Sequence, residues 1–170
     1  VSLEWENVPV ELVEAIQIKK PTRPGSRSLG LAQNRTIEKQ FLKDNGFPLA
    51  QYQVIYSAKD LSGLDQELPW IVKTATMGYD GHGQWRISST SEKDEVNSPI
   101  AGEGPWVVEQ VVPFDMELSV VVARGIDGTS ITYPATENIH EHGILRMSVC
   151  PARIDPSIEL SARHLAEEII

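Results

Sequence analysis

The sequence offers almost no sulfur chemistry. Its single cysteine, Cys150, cannot form an internal disulfide, and neither a thiolate catalyst nor a zinc site is suggested around it. We expect a buried structural thiol there. No apolar run approaches the roughly 20 residues of a membrane span, and no secretory leader pattern is read. A cytoplasmic protein that binds no membrane is the expectation. Lys and Arg number 15 against 24 Asp and Glu, a net charge of −9 at pH 7. The cation excess that nucleic-acid binding draws on is therefore missing. That deficit leaves a nucleotide ligand open, because one nucleotide needs only a few local cations. Two phosphate-binding signatures are also lacking. No G-x-x-x-x-G-K-[ST] occurs, and no G-x-G-x-x-G follows a first strand, which excludes a P-loop and a Rossmann domain. Internal repeats and low-complexity tracts are absent as well.

What is present concentrates between Ile71 and Arg86, IVKTATMGYDGHGQWR. Ile71 and Val72 lead into Lys73 as a strand, Gly78, Gly81 and Gly83 punctuate a loop, and Trp85-Arg86-Ile87 reads as the return strand. Backbone N–H groups can approach a polyphosphate closely where no Cβ intervenes, and a lysine adds a point charge. A plain hairpin with a glycine tip and a surface lysine is the alternative. Tyr79, Asp80 and His82 between the glycines are more chemistry than a solvent turn needs.

Elsewhere the pattern is mixed. Val1–Trp5 reads as a strand. A helix is expected from about Pro9 to Ile18, with Asn7 as a possible cap and Pro9 at its first position. Lys19 to Gly30 reads as a loop and a boundary. Asn34 caps a second helix, with Ile37 and Phe41 on one face and Gly46 past its end. Arg35 in the first turn opposes the helix dipole, so it is either a surface residue or kept for a ligand. Tyr52–Tyr56 is a strand, Asp60–Leu64 a short helix, and Ser91–Val96 a helix or loop. The second half is β-rich: Trp106–Val112, Glu117–Arg124, a hairpin at Asp127-Gly128, Ile131–Pro134 and Ile144–Val149. Asn138–Gly143 reads as a polar loop bearing His140 and His142. Pro156 opens an amphipathic helix with Ile158, Leu165 and Ile169 facing one way. The class is α+β. Val1 is not a methionine, and the last helical pattern runs to Ile170 without a terminator. The expectation is a fragment of a longer chain.

Glu109 and Glu117 lie at adjoining ends of neighbouring strands, where carboxylates hydrogen-bond a ribose, bind a metal, or merely sit at a sheet rim. Taken together with Lys73 and its loop, these residues resemble the 5-(carboxyamino)imidazole ribonucleotide synthases, ATP-grasp ligases of purine biosynthesis. The likeness rests on IVKTATMGYDGHGQWR, on VVEQVVPFDMELSVVVARGIDG, on TYPATENIHEHGILRMSV, and on LEWENV followed by QNRTIEKQFL. It covers nearly the whole chain, and Tyr-Asp within the glycine loop is its most specific part.

The resemblance implies the central part of an ATP-grasp fold. Residues 1–30 would end the preceding N-terminal domain, 31–112 form the small subdomain with the phosphate loop and hinge, and 113–170 begin the large subdomain. It implies ATP-dependent carboxylation of aminoimidazole ribonucleotide with bicarbonate through carboxyphosphate, with ATP and Mg2+ as cofactors and a homodimer when full length. By the same resemblance Arg35 and Lys73 contact ATP, and Gly78, Tyr79, Asp80, Gly81, His82, Gly83 and Gln84 cover its phosphates. Glu109, Gln110, Val111 and Val112 form the adenine hinge, Glu117 takes the ribose hydroxyls, and His140 lies at the ATP site. Tyr79 and Asp80 also match the bicarbonate and imidazole site, and Glu4, in preference to Glu6, approaches the imidazole substrate. His82 stands where many members have arginine. The magnesium ligands are expected beyond Ile170, so none is expected here and the piece alone is expected to be inactive. A different ATP-grasp carboxylate–amine ligase and a non-catalytic nucleotide-binding module are the alternatives.

Overall fold

The computed structural model describes residues 1–64, 67–78, 82–97 and 104–170. Tyr79, Asp80 and Gly81 lie outside the described residues. The chain divides into two compact units, Val1–Val112 and Pro113–Ile170.

The first unit begins with helices α1 (Val10–Gln17), α2 (Ser26–Ala32) and α3 (Arg35–Asp44). Pro9 is the N-cap of α1, one position earlier than expected, and Asn7 takes no part in the cap. The expected strand at Val1–Trp5 is reduced to one bridge between Ser2 and Arg23. The expected loop over Lys19–Gly30 gives way to α2 from Ser26 onward. The sequence weighs its glycine and serines against a helix, but packing overrides them. Gln17 accepts the Ser26 N–H at 3.0 Å, Leu29 is buried, and a Cβ on Gly30 would touch only Val10 of α1. At α3 the cap is as read, since Asn34 Oδ1 accepts the Thr36 N–H at 2.9 Å.

Strands β1 (Tyr52–Ile55), β2 (Trp70–Thr74), β3 (Gln84–Ile87) and β4 (Trp106–Gln110) form one antiparallel sheet in the order β1-β4-β2-β3. A 3-10 helix (Ala58–Gly63) and α4 (Thr90–Asn97) complete the unit. Alternation along the strands gathers Ile55, Trp70, Val72, Ile87, Trp106 and Val108 on one face, where they bury one another together with Leu61. Each such side chain, fully buried, contributes roughly 1.5–3 kcal/mol. The buried Trp70 indole N–H donates to the Glu67 carbonyl at 2.9 Å, so its polar end is satisfied.

The second unit holds β5 (Glu117–Ser119), β6 (Val122–Arg124), β7 (Ser130–Thr132), β8 (Thr136–Glu141), β9 (Ile144–Val149) and α5 (Pro156–Ile169). Three readings change here. Glu117–Arg124 is two strands, because β5 pairs with β8 whereas β6 pairs with β7. Asn138–Gly143 is mostly strand: β8 runs through His140, and the turn is confined to His142 and Gly143, both with positive φ. Cys150 is exposed, not buried. It sits just past the end of β9, with its thiol 3.9 Å from the Pro134 carbonyl. Asp155 caps α5 by accepting the Ser157 N–H at 2.8 Å, with Pro156 at the start of the helix as read. No helix among the described residues is long and apolar enough to cross a membrane.

Candidate active site

The two faces of the four-stranded sheet differ chemically. Trp70 and Val72 turn to the core, so Ile71 and Lys73 turn to the other face. Register sets Val107 opposite Lys73 and Glu109 opposite Ile71. Glu109 is thus the diagonal neighbour of Lys73, and Lys73 Nζ donates to its Oε2 at 3.1 Å. Helix α3 brings a second lysine to the same carboxylate: Lys39 Nζ lies 3.1 Å from Glu109 Oε1 and 5.3 Å from the centroid of the Tyr52 ring. The Glu109 and Lys39 side chains are only 12% and 13% exposed, and Lys73 is 25% exposed. Burial pushes the Glu109 carboxyl up, but the charges of Lys73 and Lys39 outweigh it and hold the group below the ordinary glutamate range.

The inward stripe of α3 is therefore its charged one. Ile37, read on one face with Phe41, is 49% exposed, whereas Arg35 and Lys39, one turn apart, point to the sheet and its hairpin. Arg35 lies along the first limb of the glycine loop. Its Nη1 donates to the Thr74 carbonyl at 2.9 Å and its Nη2 to the Gly78 carbonyl at 3.4 Å, while its own N–H donates to Ala75 at 2.9 Å. These carbonyls offset the unfavourable placement of a cation at a helix N-terminus. A Cβ on Gly78 would come within 2.9 Å of that guanidinium. The far limb closes on β2, where the Thr74 N–H donates to the Gly83 carbonyl at 2.8 Å. Gly83 has φ +73, and a Cβ there would lie 2.7 Å from Thr74 Oγ1. That hydroxyl is buried without a partner among the described residues. Gln84 stands opposite Lys73 at the start of β3, and His82 is exposed just before it.

At the expected hinge, the Gln110 N–H donates to Gln51 at 2.9 Å and the Val111 N–H to Pro69 at 3.1 Å. Those two backbone donors are engaged within the first unit. Glu4 and Glu6 are both exposed. The Gln33 amide donates to the Glu6 and Val8 carbonyls, which ties this segment to the end of α2.

In the second unit, β5 and β8 bring Glu117 and His140 together. Glu117 pairs in register with Asn138, and His140 Nδ1 lies 3.5 Å from Glu117 Oε1. Nearby, the buried Glu137 accepts a forked pair of bonds from Arg153 at 2.9 and 2.6 Å, which holds its carboxyl below the usual range. That pair fastens the chain after β9 to β8.

A family model described as the ATP-grasp domain matches residues 40–170. The chain belongs to the ATP-grasp family. It is 33% identical over 171 residues to the N5-carboxyaminoimidazole ribonucleotide synthase of Bacillus subtilis (strain 168), aligning 99% of this chain with 45% of that protein. It is 36% identical over 151 residues to the synthase of Pseudomonas aeruginosa, with 88% of this chain against 42% of that one. A crystal structure of an ADP complex of N5-carboxyaminoimidazole ribonucleotide synthetase matches with a TM-score of 0.92 at 32% identity, covering 98% of this chain and 44% of that one. The synthase of Aspergillus clavatus complexed with ATP matches with a TM-score of 0.91 at 26% identity, over 99% and 45%. The chain thus spans less than half the length of these relatives.

Reading the ATP-grasp sequence by residue type missed Lys39 and Thr74. Lys39 carries a signal, its position four residues after Arg35 on the same helical stripe. Thr74 carries none, since a threonine ending a strand is commonplace.

Proposed function

We propose that this chain supplies the nucleotide-gripping part of a ligase that carboxylates 5-aminoimidazole ribonucleotide with bicarbonate at the expense of ATP, in purine biosynthesis. The observation that carries the reading is Lys73 on a strand beside a glycine hairpin held from outside by Arg35, in a chain whose ATP-grasp relatives are named for this product. We assign Lys73 to the ATP phosphates, residues 78–84 to the lid over them, Glu109–Val112 to the adenine, and Glu117 with His140 to the ribose end. Tyr79 and Asp80 are assigned to the bicarbonate and imidazole site, and Glu4 to the imidazole substrate. A homodimer of cytoplasmic enzymes is part of the same reading.

In this scheme a bicarbonate oxygen attacks the γ-phosphorus and ADP leaves. The resulting carboxyphosphate parts into carbon dioxide and phosphate, and the substrate amine adds to that carbon and sheds a proton to give the carbamate. Phosphoryl transfer asks for charge neutralisation and positioning, which a lysine and a backbone lid supply. The mixed anhydride asks for exclusion of water, which a closing loop supplies. Among the described residues no group of three His, Cys, Asp or Glu could hold a metal. We assign the ligands of the magnesium that accompanies ATP to residues beyond Ile170, where the ion would supply charge neutralisation at the phosphates. The test is phosphate release by the full-length protein. Release that requires ATP, bicarbonate and 5-aminoimidazole ribonucleotide together is expected. Release driven instead by biotin or formate, or nucleotide binding without any release, would overturn the assignment.

A further inference from the structure

We propose that Lys39 is a positioning residue for nucleotide binding: it keeps the Glu109 carboxylate paired so that Lys73 can leave Glu109 for a phosphate. This rests on the assignment of Lys73 to the ATP phosphates. Each oxygen of Glu109 meets one lysine, both at 3.1 Å, so the carboxylate has two counter-ions and can spare one. The two lysines are not equivalent. Lys39 is the more enclosed, 13% exposed against 25% for Lys73. It also faces the Tyr52 ring, and it sits one helical turn from Arg35, whose guanidinium is fixed on the loop backbone. Lys73 projects from the strand that enters the glycine loop and is the more exposed of the two. Were Lys39 absent, Lys73 would be the one cation left, among the described residues, on a carboxylate with little access to water. Its departure would strand a buried charge, and nucleotide binding would bear that cost.

The experiment is ADP affinity of the full-length protein by calorimetry, with thermal melting to confirm folding. Lys73→Ala is expected to weaken ADP binding, which tests the parent assignment. Lys39→Met is expected to weaken it about 10-fold or more, and Lys39→Arg to retain most of it. The deciding variant is the double Lys39→Met/Glu109→Gln. With no carboxylate left to strand, it should bind ADP within about threefold of Glu109→Gln alone, whereas a packing role for Lys39 would leave the defect in place. Native-like affinity in Lys39→Met, or a folded double variant that binds more than about threefold more weakly than Glu109→Gln alone, overturns the proposal while Lys73→Ala still upholds the parent reading. Absence of ADP binding by the wild type, or full affinity in Lys73→Ala, overturns both.

Discussion

The β6–β7 hairpin turns at Asp127-Gly128, and its polar groups are satisfied within the turn. Asp127 Oδ1 accepts from the Thr129 N–H at 3.1 Å and from its hydroxyl at 2.7 Å, and the Gly125 N–H donates to the Thr129 carbonyl at 2.7 Å. A Cβ on Gly128, at φ +85, would meet nothing. In the β2–β3 hairpin, by contrast, the Thr74 and Gly78 carbonyls are claimed by Arg35 from α3, and the buried Thr74 hydroxyl has no partner among the described residues. A turn that satisfies itself needs no neighbour and serves as a connector. A turn braced from another element depends on that element for its shape.

The largest contrast should come from the cations on the strands that enter these turns. Lys73→Ala is expected to lower ATP-dependent phosphate release by the full-length protein about 100-fold. Arg124→Ala, on the exposed strand before the other turn, should leave it unchanged. Removing the brace comes next. Arg35→Ala gives up two charge-assisted bonds to carbonyls and should raise the KM for ATP about 30-fold, and Arg35→Lys should not restore it, because a single ammonium cannot span both carbonyls. The glycines themselves give a smaller difference. Gly83→Ala should cost about 2 kcal/mol in chemical denaturation and Gly128→Ala about 1 kcal/mol, since both strain φ but only Gly83 faces Thr74 Oγ1. A Thr74→Ala background should bring the two costs together, and equal costs without it would erase the contrast. The smallest effect is electrostatic. The pKa of Glu109 is depressed on folding, so its stabilisation is complete above the unfolded value of about 4.3 and is lost as pH falls through the lower folded one. Melting temperatures of Glu109→Gln should therefore fall less steeply between about pH 5 and pH 3 than those of the wild type.

The β2–β3 hairpin, the Asn34 cap and the Pro156 helix start were legible because each is a local rule with a local signal. The rest depended on neighbours far away in sequence. Alternation in ELSVVVAR announces strand, but nothing in a period of two says that the first half pairs with β8 and the second with β7. The polar run around His140 looked like a loop because a strand with a solvated face needs little apolar character. Ile37 and Phe41 marked an apolar face of α3, but nothing local told that Glu109 on the sheet would draw Lys39 of the same helix inward. Lys73, Arg35, Glu109 and Gly83 in the first unit, and Glu117 and His140 in the second, were named from sequence, and the structure adds how each is held. What escaped was the support: Lys39, the Thr74 hydroxyl and the engaged N–H groups of Gln110 and Val111.

Strand β4 is the last of its sheet along the chain, yet it lies between β1 and β2. During synthesis on the ribosome, β1 and the β2–β3 hairpin therefore emerge without the neighbour that joins them. The gap closes only when Trp106–Gln110 has left the exit tunnel and threaded between them, a long-range step that follows all the local ones. Glu109 arrives on that same strand. Lys39 and Lys73 lie without their shared counter-ion until the strand that completes the sheet also delivers the carboxylate between them, so the sheet and this ion cluster depend on the same strand.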